Sequence, residues 1–332
     1  MTQTINSIEI TSPARLHLGF IDLNGSQGRK FGSVGLTIDT FFTKIKVTHI
    51  ERTKGQINSN CERSKQYAKQ FCKVFSIESS FTIDVESNMP EHSGFGSGTQ
   101  LALCVGKAIS ELSNLNLTIE KIAEILDRGN RSGIGIGSYL AGGFLVDGGK
   151  GISDKAPPII ARHDFPENWR IVLLIARKQE GMFGSNEKEA FNKLDVFPLE
   201  KAQFLSQLVL MKTLPSLIEK DFHSFTSSIS ILQHEVGYHF SDAQGGVFSN
   251  KKVSEIISFL EKKGFKGMGQ SSWGPTGFVL CDSDTQAYKV SQLISKNIDL
   301  TDIDLQIVKA KNNGASEIIG NSIQINKNIE IS

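Results

Sequence analysis

Three glycine-bearing segments hold the residues best suited to chemistry. The first is "PEHSGFGSGTQLAL", which starts at Pro90. Gly94, Gly96 and Gly98 let the backbone turn its N–H groups toward one point. A helix starting there adds unpaired N–H groups and the positive end of its dipole. The segment predicts an anion site on Gly94, Gly96, Ser97, Gly98 and Thr99, fit for phosphate or diphosphate. It is not a Walker loop, because no Gly-Lys-Ser/Thr follows, and its glycine spacing is not that of a dinucleotide fingerprint. The plain alternative is a glycine turn before a core helix.

The second segment, "GNRSGIGIGSYLAGGFLVDGG" (129–149), gathers glycines around Arg131, Ser132 and Tyr139. Backbone this bare predicts close approach to a ligand or to another helix. Arg131 can grip a phosphate or a carboxylate with paired donors; otherwise it is solvated beside a tight helix-to-sheet crossover. The third, "GMGQSSWGPTGF" (267–278), offers the neutral donors Gln270, Ser271, Ser272 and Thr276, with Trp273 as a flat wall. An ordinary turn would explain it too, but turns favour small polar residues over Trp.

Single residues add to these. Arg15 and His17 alternate on the first strand, with Asp22 close behind. Basic residues beside a phosphate loop suit an anion; a buried ion pair is the alternative. Glu91 and His92 flank the loop, and Glu91 is a candidate Mg²⁺ ligand against a diphosphate, or else sits on a solvated loop. His234 and Glu235 end a helix ahead of "AQGGVF" (243–248), where His more often caps than catalyses. His49, His163, His223 and His239 carry no usable signal.

The elements that position these residues are legible in outline. "IEITSPARLHLGF", "FFTKIKVTHI" and "FTIDVES" read as strands, with Phe81, Ile83 and Val85 on one face. After the glycine loop, Leu101, Val105, Ala108, Ile109 and Leu112 form one apolar helical stripe. "TIEKIAEILDRG" is a second helix, capped by Thr118 and stopped at Gly129. A Gly-, Pro- and charge-rich stretch near 150–167 reads as a linker, which divides the chain into domains 1–160 and 161–332. "WRIVLLIAR" then opens a second half with helical patterns across 187–263, strands at "GFKGMGQ" and "TGFVLCD", a helix near 284–297 and a strand near 303–310. Strands bracketing helices predict an α+β sandwich.

Composition sets the outer bounds. The 332 residues suffice for one large or two ordinary domains. A net charge of +1 gives no basic field for nucleic acid or a membrane surface. No apolar run reaches the roughly 18 residues of a membrane span, and the first residues lack a signal peptide's pattern. Cys61, Cys72, Cys104 and Cys281 have neither metal-knuckle nor redox spacing, so reduced thiols in a cytoplasmic protein are expected.

Taken together, "SPARLHLGF", the "P-x-x-S-G-x-G-S-G" loop and the late glycine loop resemble the superfamily of galacto-, homoserine, mevalonate and phosphomevalonate kinases, the GHMP kinases. The resemblance implies an N-terminal domain like domain 2 of ribosomal protein S5 and a C-terminal ferredoxin-like domain. Many of these kinases carry Pro-Ser-Gly-x-Asp before a Gly-Gly pair, and the Asp assists deprotonation of the attacking hydroxyl. Here Ser132 and Gly133 match, Arg131 stands for Pro, and Gly135 stands for Asp. Glycine takes no proton. Homoserine kinases manage without that Asp, so an ATP-dependent small-molecule kinase stays as the alternative, with a non-catalytic sugar-phosphate or nucleotide sensor behind it.

A closer likeness covers five separated segments, "ARLHLGFIDLNG", "GFGSGTQLAL", "RSGIGIGSYLAGGFLVDGG", "AQGGVF" and "GQSSWGPT". They resemble the β-ribofuranosylaminobenzene 5′-phosphate synthase (β-RFAP synthase) family, members of the superfamily that are not kinases. What the resemblance implies is a phosphoribosyltransferase. It joins phosphoribosyl pyrophosphate to the ring carbon of 4-hydroxybenzoate or 4-aminobenzoate, releases CO₂ and diphosphate, and forms a C-riboside for methanopterin-type cofactors. On that reading the loop holds diphosphate with Mg²⁺, which takes Glu91 or Ser97 as ligands. His17 is the candidate base, and Arg15 or Arg131 grips the carboxylate. Asp22, Ser132, Gln244, Gln270, Ser271, Ser272 and Trp273 line the substrates, with Trp273 stacked on the aromatic ring. A homodimer without nucleic-acid or membrane partners is the expected assembly.

Overall fold

The computed structural model describes residues 4–51, 54–153, 155–177 and 194–322. Two long strands, β1 (Thr4–Asp22) and β2 (Phe31–Ile50), pair antiparallel and form the spine of a seven-stranded sheet. Pro13 cannot donate to a ladder, and the pairing slips between Pro13 and Arg15 and again between His17 and Gly19. These bulges lie beside the residues of interest. The far half of β2 pairs with β4 (Ser80–Ser87), which pairs parallel with β3 (Ile57–Ser59). The near half of β2 pairs with β5 (Phe144–Asp147), and β5 pairs with β6 (Ile159–His163).

The stretch predicted as a linker thus contains a strand of the first sheet. β11 (Ser316–Ser322) also returns to this sheet and pairs with β1. The first structural unit therefore draws on both halves of the chain, and the division at residue 160 does not follow the sheets.

Four helices pack on this sheet: α1 (Glu62–Phe75), α2 (Ser97–Leu112), α3 (Ile119–Ile125) and α4 (Ile134–Leu140). The predicted α2 stripe is the core stripe. Leu101, Val105, Ala108 and Ile109 are fully buried against Ile8, Ile10, Val47 and Phe71, each larger side chain contributing about 1.5–3 kcal/mol. Thr118 caps α3 by accepting from Lys121 N. That helix ends at Ile125, ahead of the predicted stop at Gly129.

The second sheet is antiparallel in the order β10 (Ile303–Val308), β7 (Arg170–Ala176), β9 (Gly277–Cys281) and β8 (Met268–Gln270). Alternation along β7 serves two cores. Val172 and Leu174 face α8 (Lys251–Lys262) and α9 (Asp284–Asn297), whereas Ile171 and Leu173 face the core shared with the first sheet. In that shared core lie α5 (Leu199–Leu208), a π-turn at Val209–Thr213, α6 (Leu214–Ile218) and the long α7 (Phe222–Gln244). The early part of the predicted helical run, 187–193, lies outside the described residues. All four cysteines are free thiols. Among the described residues no helix is long and apolar enough to cross a membrane.

Candidate active site

The predicted phosphate loop has the geometry its glycines require. Gly94 and Gly96 sit at φ +88° and +87°, where a side chain is strained. The ladder of α2 begins with Thr99 N and Gln100 N, both bonded to Gly96 O at 3.0 and 3.1 Å. The N–H groups before them have no partner within the helix, and no side chain caps it. Ser97 is buried at the first position.

Two other segments fix this loop. Arg15 N donates to Phe95 O at 3.1 Å, and Arg15 Nη1 donates to Gly94 O. Ser271 Oγ donates to the same carbonyl at 2.7 Å and accepts from His17 N at 3.0 Å. Ser272 N donates to His17 O at 3.1 Å. Gly274 lies so near the loop that a Cβ there would stand 2.5 Å from Gly94 N. The structure therefore brings Arg15, His17, the phosphate loop and the late glycine segment together.

It gives several of them a different position from the one expected. Ser271 is fully buried, with its hydroxyl spent on Gly94 O and His17 N. Gln270 Nε2 donates to Gln244 Oε1 at 2.9 Å, and Gln270 Oε1 accepts from Ser249 N at 2.7 Å. Trp273 is buried edge-on against Phe240, 4.9 Å between centroids, with no open face for a substrate ring. Of these three side chains, Ser271 braces the loop from behind. Ser272 is only half-buried.

His17 is 3% exposed, and burial together with the charge of nearby Arg15 pushes its pKa down to about 3. The near-neutral titration expected of a base is thereby lost. Its ring instead lines a small cavity of about 20 Å³, shared with Gln233, Gln244, Gln270 and Trp273.

The second glycine segment is organised by Asp147, which sequence reasoning missed. Its Oδ2 accepts from Gly133 N at 2.8 Å and Ser132 Oγ at 3.2 Å; its Oδ1 accepts from Gly149 N at 2.9 Å and Ser33 N at 3.2 Å. Burial raises the pKa of this carboxyl, and the four donors oppose the rise. Ser132 is thus tied to Asp147, and Arg131 sits half-buried at the same turn. Gly135 packs directly on the phosphate helix. A Cβ there would stand 3.0 Å from Thr99 Cγ2, and Gln100 Nε2 donates to Gly135 O at 2.8 Å.

Asp147, Gly148 and Gly149 also border a cavity of about 330 Å³ between the first sheet and the π-turn. Ile21, Val146, Val209 and Leu214 supply apolar walls, and Asp22, Arg29 and Lys30 are its charged groups with Asp147. Arg29 is held by Gly148 O and Gly149 O, each at 2.6 Å. Asp22 Oδ1 accepts from Asn24 N and Gly25 N at 2.8 and 2.9 Å, shaping the turn that carries Arg29. Arg29 was missed because a basic residue between glycines looks like any exposed turn.

For Mg²⁺, the described residues hold no cluster of three His, Cys, Asp or Glu able to bind a metal. Mg²⁺ ordinarily takes one or two carboxylates and its substrate's phosphates. Glu91 is half exposed and paired with Arg63 at 3.3 Å, and Ser97 is buried at the first turn of α2.

Comparison with known proteins agrees with this architecture. The family model of the GHMP kinases N terminal domain matches residues 63–142, and that of the GHMP kinases C terminal matches 213–298. Homoserine kinase from Cytophaga hutchinsonii shares the fold at TM-score 0.66 and 17% identity, over 96% of this chain and 99% of that one. The beta-ribofuranosylphenol 5'-phosphate synthase of Methanothermobacter thermautotrophicus is 33% identical over 82% of this chain and 88% of its own length. That of Archaeoglobus fulgidus is 35% identical over 83% and 88%. The chain belongs to the beta-ribofuranosylphenol 5'-phosphate synthase family and has the GHMP kinase fold.

Proposed function

We propose that this enzyme transfers ribose 5-phosphate from phosphoribosyl pyrophosphate to the ring of 4-hydroxybenzoate, with loss of CO₂ and diphosphate. The reading rests on Gly135. The phosphate loop is intact, but glycine stands where many kinases of this fold carry an Asp, and Thr99 Cγ2 leaves a side chain there little room. That is a phosphate site without a base for an alcohol. The name of the relatives specifies a phenol product, which favours 4-hydroxybenzoate over 4-aminobenzoate.

The loop's N–H groups and the α2 amino end hold the diphosphate and stabilise its charge as it leaves. Glu91 or Ser97 would hold Mg²⁺, which would supply further positive charge to the diphosphate. As the C1–O bond breaks, its electron pair goes to diphosphate and C1 gains oxocarbenium character. The ring carbon bearing the carboxylate is nucleophilic because it lies para to the hydroxyl. It forms the C–C bond to C1; the bond to the carboxylate then breaks, its electrons return to the ring, and CO₂ leaves.

The 330 Å³ cavity suits the aromatic acid. Its aliphatic walls fit a benzene ring, Arg29 and Lys30 supply charge for the carboxylate, and Asp22 is positioned to accept from the phenol. Arg131, beside the turn that Asp147 fixes, is the candidate for the ribose 5-phosphate. His17, neutral and enclosed, serves to hold β1 against the late glycine segment.

The test is release of CO₂ from carboxyl-labelled 4-hydroxybenzoate with Mg²⁺ and phosphoribosyl pyrophosphate. Release that depends on phosphoribosyl pyrophosphate is expected. No release from either benzoate, with ATP consumed when small alcohols are offered, would establish a kinase instead.

A further inference from the structure

Arg63 lies on α1, outside the three glycine segments, yet its guanidinium rests on the first turn of α2. A Cβ at Gly98 would stand 2.3 Å from Arg63 Nη2 and 3.1 Å from its Cζ. The guanidinium of Arg15 lies against Gly96 in the same way, 3.3 Å from where a Cβ would be. Two cations therefore contact alternate glycines of one loop, at the amino end of a 16-residue helix. That end carries roughly half a positive charge and repels cations. Cations gathered at that end are suited to hold an anion.

The acid paired with Arg63 is Glu91. Nη1 reaches Oε1 at 3.3 Å, and the Glu91 side chain is 47% exposed. A single, long, half-solvated contact of this kind contributes little. Meanwhile Arg63 Nε is anchored on Tyr67 OH at 3.1 Å. The stem is thus held, Nη2 already faces the loop, and Nη1 is loosely engaged.

We propose that Arg63 is a diphosphate-binding residue and that Glu91 is its stand-in anion, displaced when diphosphate enters the loop. Released from Glu91, Nη1 joins Nη2 in a two-pronged grip on phosphate oxygens while Nε keeps its hold on Tyr67. The exchange breaks no covalent bond. It rests on the diphosphate reading above and extends it: affinity for the leaving group is set by competition between a bound carboxylate and the incoming phosphate.

The competition gives opposite signs for two substitutions. Inorganic diphosphate would be titrated calorimetrically into the full-length protein without divalent cations. Arg63→Met should weaken binding about tenfold or more, the loss of a charge-assisted pair. Glu91→Gln should tighten it about threefold to tenfold, because the internal competitor is gone. A purely structural Arg63–Glu91 pair would make both variants bind more weakly. Glu91→Gln that binds no better than wild type overturns the exchange. Arg63→Met within twofold of wild type overturns the assignment of Arg63. Should Arg63→Met fail to fold, Gly98→Ala moves the guanidinium without altering charge and must weaken binding as well; unchanged affinity there overturns the assignment equally.

Parallel titrations with phosphoribosyl pyrophosphate and ATP distinguish the two sources of a polyphosphate. The CO₂ assay keeps the two failures apart. A wild type that releases CO₂, with an Arg63→Met KM for phosphoribosyl pyrophosphate unchanged, refutes Arg63 alone. Arg63-dependent diphosphate binding without CO₂ release refutes the synthase reading alone.

Discussion

Replacing Ser271 with Ala removes one oxygen that serves two segments. Ser271 Oγ donates to Gly94 O and accepts from His17 N, in a residue with no exposed surface. Gly94 O keeps its bond from Arg15, so the acceptor is not orphaned. His17 N is orphaned, and a buried unpaired N–H costs about 1–3 kcal/mol. Losing the bond to Gly94 O adds about 0.5–1.5 kcal/mol. The variant should therefore lose about 1.5–4.5 kcal/mol of local stability, and the loop should lose its fixed peptide orientation. Amide hydrogen exchange across residues 94–100 and at His17 reads the first effect, and the KM for phosphoribosyl pyrophosphate reads the second. Ser291→Ala is the control, because its hydroxyl makes no hydrogen bond. If Ser271→Ala exchanges and binds as the control does, Ser271 does not brace the loop.

Burial of His17 predicts a specific acid sensitivity. Its folded pKa, about 3, lies below its unfolded value of 6.5, so its neutral form is fully accommodated above the unfolded pKa and stability falls as pH drops below that value. Going from about pH 7.5 to about pH 5 should cost about 2 kcal/mol in urea unfolding, and His17→Gln should lose that portion of the slope. Asp147→Asn places an amide donor against Gly133 N or Gly149 N; it should cost about 2–4 kcal/mol and lower the melting temperature more than Asp39→Asn on the surface. Ile160→Trp, at the exposed rim of the 330 Å³ cavity, should raise the KM for 4-hydroxybenzoate about tenfold or more while leaving that for phosphoribosyl pyrophosphate unchanged; equal effects on both would move the acceptor elsewhere. Gly135→Asp should not create ATP-dependent phosphorylation of small alcohols, since its Cβ meets Thr99; a gain of that activity would show the site to be a kinase lacking only its base.

Local signals were legible where one short segment determines its own conformation. Gly94 and Gly96 take positive φ because the loop must turn there, and the α2 stripe buries because its period matches a helix. β9 and α9 fall within the strand read at "TGFVLCD" and the helix read near 284–297. What could not be read depends on distant partners. β6 and β11 are assigned to the first sheet by pairing with β5 and β1, and "SEIIGNS" has too little alternation to declare it. Arg63 sits in a helix of ordinary amphipathic pattern and gains meaning only because α1 lies beside Gly98. Trp273 looked like a substrate wall by composition, and its burial against Phe240 follows from α7, a remote helix. The same distance hid His17: a strand residue's pKa depends on what packs over it.

The pairing of β1 with β11 bears on how the protein is made. Thr4–Thr11 lies hydrogen-bonded to Ser316–Ser322, at the other end of the described chain. During synthesis the outer edge of β1 must wait, unpaired, until β11 has been made. Such a wait exposes a sticky strand edge and slows closure of long-range contacts. The strand left waiting is the one that carries Arg15 to the phosphate loop. A chain interrupted before β11 would display an open edge that invites association between nascent copies.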